Sequence, residues 1–194
     1  MALQPGDTAP DFTAKDQDGL PVRLADFRGK KLVLYFYPRD MTPGCTAEAC
    51  SLRDNYRSLL KAGYEVLGIS TDNERSHKKF IEKEKLPFRL LADTDKNVHQ
   101  QYGAWIEKSM YGRKYMGTAR VTYIINEQGI IEEIIGKVDT RNHADQILKN
   151  GPAKTVPLAK KATPKKTAKS RSGKKKVKAS PRRAGTSPKK AKKK

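Results

Sequence analysis

Cysteine is scarce in this chain of 194 residues: there are two, Cys45 and Cys50. Two cysteines cannot make a disulfide-dense framework or a four-cysteine zinc site, and their Cys-x₄-Cys spacing misses the Cys-x-x-Cys redox motif. Long apolar runs are also missing; nothing approaches the ~18–20 apolar residues of a membrane-spanning helix. The opening stretch MALQPGDTAPDF lacks a basic segment followed by an apolar one, so no secretory signal is expected. The expected setting is intracellular and reducing, cytoplasmic and nucleoid-associated, or nuclear in a eukaryote. A lasting structural disulfide is disfavoured there, whereas a transient catalytic one is not. Acid is missing from one end: residues 150–194 hold 18 Lys/Arg and no Asp or Glu. Residues 1–149 carry the other 23 Lys/Arg and all 21 Asp/Glu, a net of +2. Two segments follow: a near-neutral body, 1–149, long enough for one domain with its own core, and a cationic tail, 150–194.

What is present in the body is an alternation of short apolar runs and amphipathic stretches. KLVLYFY, Lys31 to Tyr37, lies between Gly29 and Pro38 and predicts a strand buried on both faces. CTAEACSLRDNYRSLLKAG follows, with Ala49, Leu52, Tyr56, Leu59 and Leu60 at helical spacing and Gly63 as a stop, predicting one helix. YEVLGIS, Tyr64 to Ser70, predicts a second strand, and a largely solvent-facing helix is expected to begin near Asp72. ARVTYIIN and GIIEEIIG flank a two-residue turn and predict a hairpin; NHADQILK predicts a last short helix, stopped at Asn150-Gly151-Pro152. GLPVRLADFRGK is expected to add an N-terminal hairpin. This order is that of an α/β domain of thioredoxin-like fold.

Cys45 stands where a buried strand hands over to a helix, near the unpaired N–H groups and positive end of the helix dipole, which favour thiolate over thiol. Free cysteine is also a common small buried hydrophobe, and local context leaves both readings open. If Cys45 and Cys50 share an intact helix, their Cα atoms are about 8.6 Å apart, from ~7.5 Å of rise and ~140° of rotation. A disulfide needs roughly 4.4–6.8 Å, so the pair cannot be a passive staple on that helix. His77, His99 and His143 lie in polar segments with no spacing that pairs them with the cysteines, so no metal is expected. Trp105 and the tyrosines read as core and rim residues.

Pro38, Thr42 and Cys45 form Pro-x₃-Thr-x₂-Cys, and FYPRDMTPGCTAEACSLRD resembles the active-site loop of the peroxiredoxins, specifically the bacterioferritin-comigratory or peroxiredoxin Q branch. The resemblance extends through APDF, VLGIST and GAWIEKSMYGRKYMGTAR and covers residues 3–149. It implies a peroxiredoxin-type thioredoxin-like fold and a peroxidase with no bound cofactor. Cys45 would be the peroxidatic cysteine, oxidised by a peroxide substrate to sulfenic acid. Cys50 would be the resolving cysteine, closing an intramolecular disulfide once the helix start unwinds. Thr42 would hydrogen-bond thiolate and peroxide, besides its ordinary reading as a helix N-cap. Pro38 would shield the sulfur from water. Arg120 would hold the thiolate and polarise the peroxide; its spacing alone reads as a surface charge. A thioredoxin-type dithiol is the implied reductant, and a monomer is expected.

The tail consists of Lys, Ala, Pro, Ser and Thr without aromatics; it cannot bury a core and is expected to be disordered. TPKK at 163–166, SPRR at 180–183 and SPKK at 187–190 resemble the units of linker-histone tails, whose Ser/Thr-Pro-basic repeats favour the DNA minor groove. Lys165, Lys166, Arg182, Arg183, Lys189 and Lys190 are the candidate contacts to a DNA or RNA backbone, without sequence readout. Other acidic partners, or a solvated tail without a partner, are the blander readings. Membrane attachment is not expected, as there is no lipidation signal or apolar face. Two rivals to a tethered peroxidase stand beside it: a non-enzymatic nucleoid or chromatin protein with a peroxiredoxin-like head, and a peroxide sensor.

Overall fold

Five consecutive residues of the apolar run, Leu32 to Phe36, are fully buried because both faces of their strand are covered. That strand, β3 (Lys31–Phe36), is central in a seven-stranded sheet of the computed structural model, which describes residues 2–110 and 112–150. The other strands of the sheet are β1 (Thr13–Asp16), β2 (Pro21–Arg23), β4 (Tyr64–Ser70), β5 (Arg89–Ala92), β8 (Val121–Ile125) and β9 (Ile131–Ile135), in the order β2-β1-β5-β4-β3-β8-β9. β3, β4 and β5 run parallel, and β8 pairs antiparallel with β3. Alternation along β3 sorts the core: Leu32, Leu34 and Phe36 pack on one face, while Val33 and Tyr35 pack on the face that also holds Cys45. Gly68 lets the central strands close on that second face, since a Cβ there would stand 2.6 Å from Leu90 and 2.7 Å from the Tyr35 hydroxyl.

The described residues also form five helices: α1 (Pro43–Asp54), α2 (Tyr56–Lys61), α3 (Glu74–Glu84), α4 (Asn97–Gln101) and α5 (His143–Asn150). The single helix expected from Cys45 to Gly63 is two, broken at Asn55, whose side-chain amide donates to the Ser51 carbonyl at 3.0 Å and competes with the helix's own bonding. α3 starts two residues later than expected, because Asn73 is its cap and accepts from the Ser76 N–H at 2.9 Å. The N-terminal hairpin is shifted upstream: β1 and β2 form its arms, and Leu24–Phe27 is a 3₁₀ turn. The hairpin of β8 and β9 and the final helix α5 stand as the sequence predicts. A second hairpin, β6 (Trp105–Met110) with β7 (Arg113–Thr118), went unread in the sequence, as did β5 and α4. The tail and its six candidate contact residues lie outside the described residues.

Candidate active site

Pro43 at the first helical position and Thr42 at the cap start α1 where β3 ends, which places Cys45 in the first turn. Cys45 is only 2% exposed. Arg120 stands just before β8, whose first residue pairs with Phe36 at the end of β3, and from there its Nη2 donates to the Cys45 sulfur at 3.2 Å. The same guanidinium uses Nη1 to donate to Oε2 of Glu48, one helical turn further along α1. One planar, permanently charged group thus bridges the thiol and a fully buried carboxyl. The guanidinium also lies against Gly44, where a Cβ would make ordinary contact with Nη2 at 3.4 Å.

Burial pushes the Glu48 carboxyl up to about 7, against the opposing pull of Arg120. Behind it, burial lowers His143 to about 4, and nearby Arg120 adds to the effect against the Gln146 hydrogen bond. His143 is therefore neutral near pH 7. Its Nε2 pairs with the Thr122 hydroxyl at 2.9 Å, and its 3.8 Å approach to Glu48 Oε1 is not an ion pair. Among the described residues, that oxygen of Glu48 and the Tyr35 hydroxyl have no hydrogen-bond partner. Lys108, from the unread hairpin, adds a second cation: burial and the repulsion of Arg120 hold its ammonium below its usual range, against the pull of Cys45. Its Nζ donates to the Thr118 carbonyl at 2.5 Å.

Cys50 lies in the same helix but in another environment. It is half-buried, and its thiol faces Glu84 Oε2 at 3.7 Å on α3. Burial, aided by Glu84 and opposed by Arg53, raises its thiol above the usual value, so it rests protonated. Both cysteines are free thiols within the uninterrupted α1. On that intact helix about 8.6 Å separates their Cα atoms, too far for a disulfide.

The expected role of Thr42 as a side-chain cap needs correction. Thr42 occupies the cap position, but its hydroxyl donates to the Arg39 carbonyl at 3.0 Å and caps no helix N–H. Among the described residues it makes no hydrogen bond to Cys45. The three histidines, each in a polar stretch of sequence, are all fully buried, His77 against Asp40, His99 against Asp93 and His143 against Thr122. Pro38 is half-buried, two residues after β3. Arg120 and Cys45 are therefore together, with Pro38 and Thr42 on the loop that leads to them and Cys50 apart. Glu48 and the buried loop residue Asp40 were missed. Glu48 had a readable signal, a carboxylate one turn after the cysteine on the same helix.

The sequence matches the AhpC/TSA family over residues 5–134. It is 49% identical over 146 residues to a protein of Escherichia coli K12 named peroxiredoxin Bcp, spanning 75% of this chain and 94% of that one. Among solved structures, peroxidoxin BcpB of Mycobacterium tuberculosis superposes with a TM-score of 0.67 at 35% identity, over 76% of this chain and 95% of that one. Peroxiredoxin Q of Xanthomonas campestris does so with a TM-score of 0.69 at 32% identity, over 77% and 94%. With that match and those relatives, the chain belongs to the AhpC/TSA family, in its Bcp/peroxiredoxin Q branch, and its sheet is the family's thioredoxin-like fold.

Proposed function

We propose that this chain is a thiol-dependent peroxidase in which Cys45 attacks and Cys50 resolves. The observation that carries the reading is the Arg120 guanidinium, 3.2 Å from the buried sulfur and braced from behind by Glu48. The Cys45 thiolate attacks one peroxide oxygen. An S–O bond forms, the O–O bond breaks, and the leaving alkoxide or hydroxide takes up a proton. A fixed cation beside the reacting atoms stabilises the charge that moves from sulfur to the leaving oxygen. The sulfenic acid then meets the Cys50 thiol; an S–S bond forms and water leaves. The first turns of α1 must open for that step. A thioredoxin-type dithiol reduces the disulfide and is itself oxidised, which returns both thiols. The alkyl peroxide reduction activity named for the Xanthomonas campestris bacterioferritin comigratory protein, 32% identical, supports the same chemistry here. Peroxide consumption with thioredoxin, its reductase and NADPH tests the reading. Turnover is expected from the full chain and none from Cys45→Ser; turnover by that variant overturns it.

The second part of the reading concerns the tail. Its net +18 beside a body of net +2 supports a peroxidase held to nucleic-acid backbone through residues 150–194. If roughly 6–10 charges meet phosphates, log K falls with log salt at a slope of about −5 to −9. Band shifts across salt should show such binding for the full chain and none for residues 1–149. Salt-insensitive binding, or binding by the body alone, overturns the tether and leaves the peroxidase untouched.

A further inference from the structure

The loop that delivers Cys45 is tied down at a residue with no part in the reaction. Asp40 lies two residues after Pro38 and two before Thr42, and it is only 6% exposed. Its Oδ1 accepts from the Tyr37 hydroxyl at 2.7 Å; its Oδ2 accepts from the Ser76 hydroxyl at 2.7 Å and faces His77 Nδ1 at 2.9 Å. Its backbone N–H donates to Asp72 Oδ2 at 2.8 Å. His77 is fully buried, and its other ring nitrogen meets the Leu91 carbonyl at 3.0 Å. Both ring nitrogens thus face acceptors, and the loop is bolted through His77 to strand β5. The hydrogen bonds of His77, Ser76 and Tyr37 hold the Asp40 carboxyl below its usual value although burial, the largest influence, pushes it up.

Beyond Asp40 the ties to the rest of the fold thin out among the described residues: Thr42 bonds only to its own loop and to the first turn of α1. Met41 is 42% exposed, its backbone is in the left-handed region at φ 56°, and the Thr42 hydroxyl bonds only within the loop. A heavily bonded residue is followed at once by a lightly held segment that runs into Cys45.

Given the peroxidase reading above, on which this rests, we propose that Asp40, clamped by His77, Ser76 and Tyr37, is a positioning residue with two tasks. It holds the Pro38–Thr42 loop in register with Cys45 and Arg120 for the attack on peroxide. It is also the stationary end from which the start of α1 opens for the disulfide step. Asp40 need not let go for this. Five residues of extended chain reach up to about 17 Å, while the cysteine Cα atoms must close only from about 8.6 Å to below ~6.8 Å. The two half-reactions consequently depend on the clamp differently: loosening it misplaces the attack but does not hinder the opening.

Two single-turnover rates separate the tasks, both measured on the full-length chain: loss of the Cys45 thiol after mixing with hydrogen peroxide, and appearance of the Cys45–Cys50 disulfide. Asp40→Ala should slow the first by about 10- to 100-fold, the scale of an ångström of misplacement, and should not slow the step from sulfenic acid to disulfide. Asp40→Asn keeps the shape and an acceptor, and should restore most of the first rate. Hydrogen exchange in reduced Asp40→Ala should rise at residues 38–45. If folded Asp40→Ala loses its Cys45 thiol as fast as the wild type, or if both steps slow in parallel, the clamp is not a positioning device. Should Asp40→Ala fail to fold, Ser76→Ala removes one of the carboxylate's bonds and decides instead. A slower first step with an unslowed second supports the clamp; an unchanged first step overturns it. A wild-type chain whose Cys45 does not react at all would instead refute the peroxidase reading.

Discussion

Replacing Arg120 by lysine keeps the charge and removes the fork. The guanidinium serves two partners from one plane, Nη1 to Glu48 and Nη2 to the Cys45 sulfur. A lysine offers one compact ammonium on a flexible stem and cannot bridge both. Glu48 is fully buried, so the ammonium will be drawn to it, because an unpaired buried carboxylate is the costlier defect. The sulfur then loses a charge-assisted hydrogen bond of about 1.5–3 kcal/mol. If that bond acts in the transition state, the rate of Cys45 oxidation falls by about 10- to 150-fold, since ~1.4 kcal/mol is a factor of ten. Rapid mixing with hydrogen peroxide, acid quench and mass analysis of Cys45 reads this rate directly, and circular dichroism confirms the fold. A folded Arg120→Lys protein within about twofold of the wild type would refute the reasoning, because a loss of ~0.4 kcal/mol or less is too small for a bond to the reacting atom.

Other expectations rest on separate features of the site. Cys50→Ser should react once with peroxide and stall as a Cys45 sulfenic acid; multiple turnovers with thioredoxin at the wild-type rate would remove Cys50 from the cycle. Oxidation should speed hydrogen exchange at residues 43–54, where the helix must open; equal protection in both redox forms would contradict the opening. Burial raises Glu48 from an ordinary 4.5 to about 7, so its contribution to stability is fully present below about 4.5 and is lost as pH rises through about 7. Relative to Glu48→Gln, the wild type should lose up to about 3 kcal/mol between pH 5 and pH 8 in urea unfolding. Parallel pH profiles for the two proteins would show that the carboxyl does not titrate there.

The parts of the fold legible in the sequence were those with a strong local period. β3, β4 and the hairpin of β8 and β9 are near-continuous apolar runs between turn residues, and α5 buries Ala144 and Ile147 at helical spacing. The hairpin of β6 and β7 escaped because its residues are largely exposed and mixed in character, with Ile106, Tyr115 and Met116 facing out among lysines and arginines. The break at Asn55 escaped because the apolar spacing of Leu52, Tyr56 and Leu59 continues across it. At the site, the Pro38, Thr42 and Cys45 pattern marked the loop through family resemblance. Arg120 lies 75 residues from Cys45, and only the pairing of β8 with β3 brings it there. The burial of His77, His99 and His143 was illegible for a related reason. Each sits in a polar stretch, and its carboxylate or hydroxyl partner becomes visible only once the chain has folded.

The most direct test of the central claim is to add one equivalent of hydrogen peroxide to the reduced chain, trap remaining thiols and map the products by mass spectrometry. The account predicts a single intramolecular Cys45–Cys50 disulfide in the wild type, sulfenic acid on Cys45 in Cys50→Ser, and no oxidation of Cys50 in Cys45→Ser. Oxidation that begins at Cys50, or that proceeds unchanged without Cys45, would contradict it.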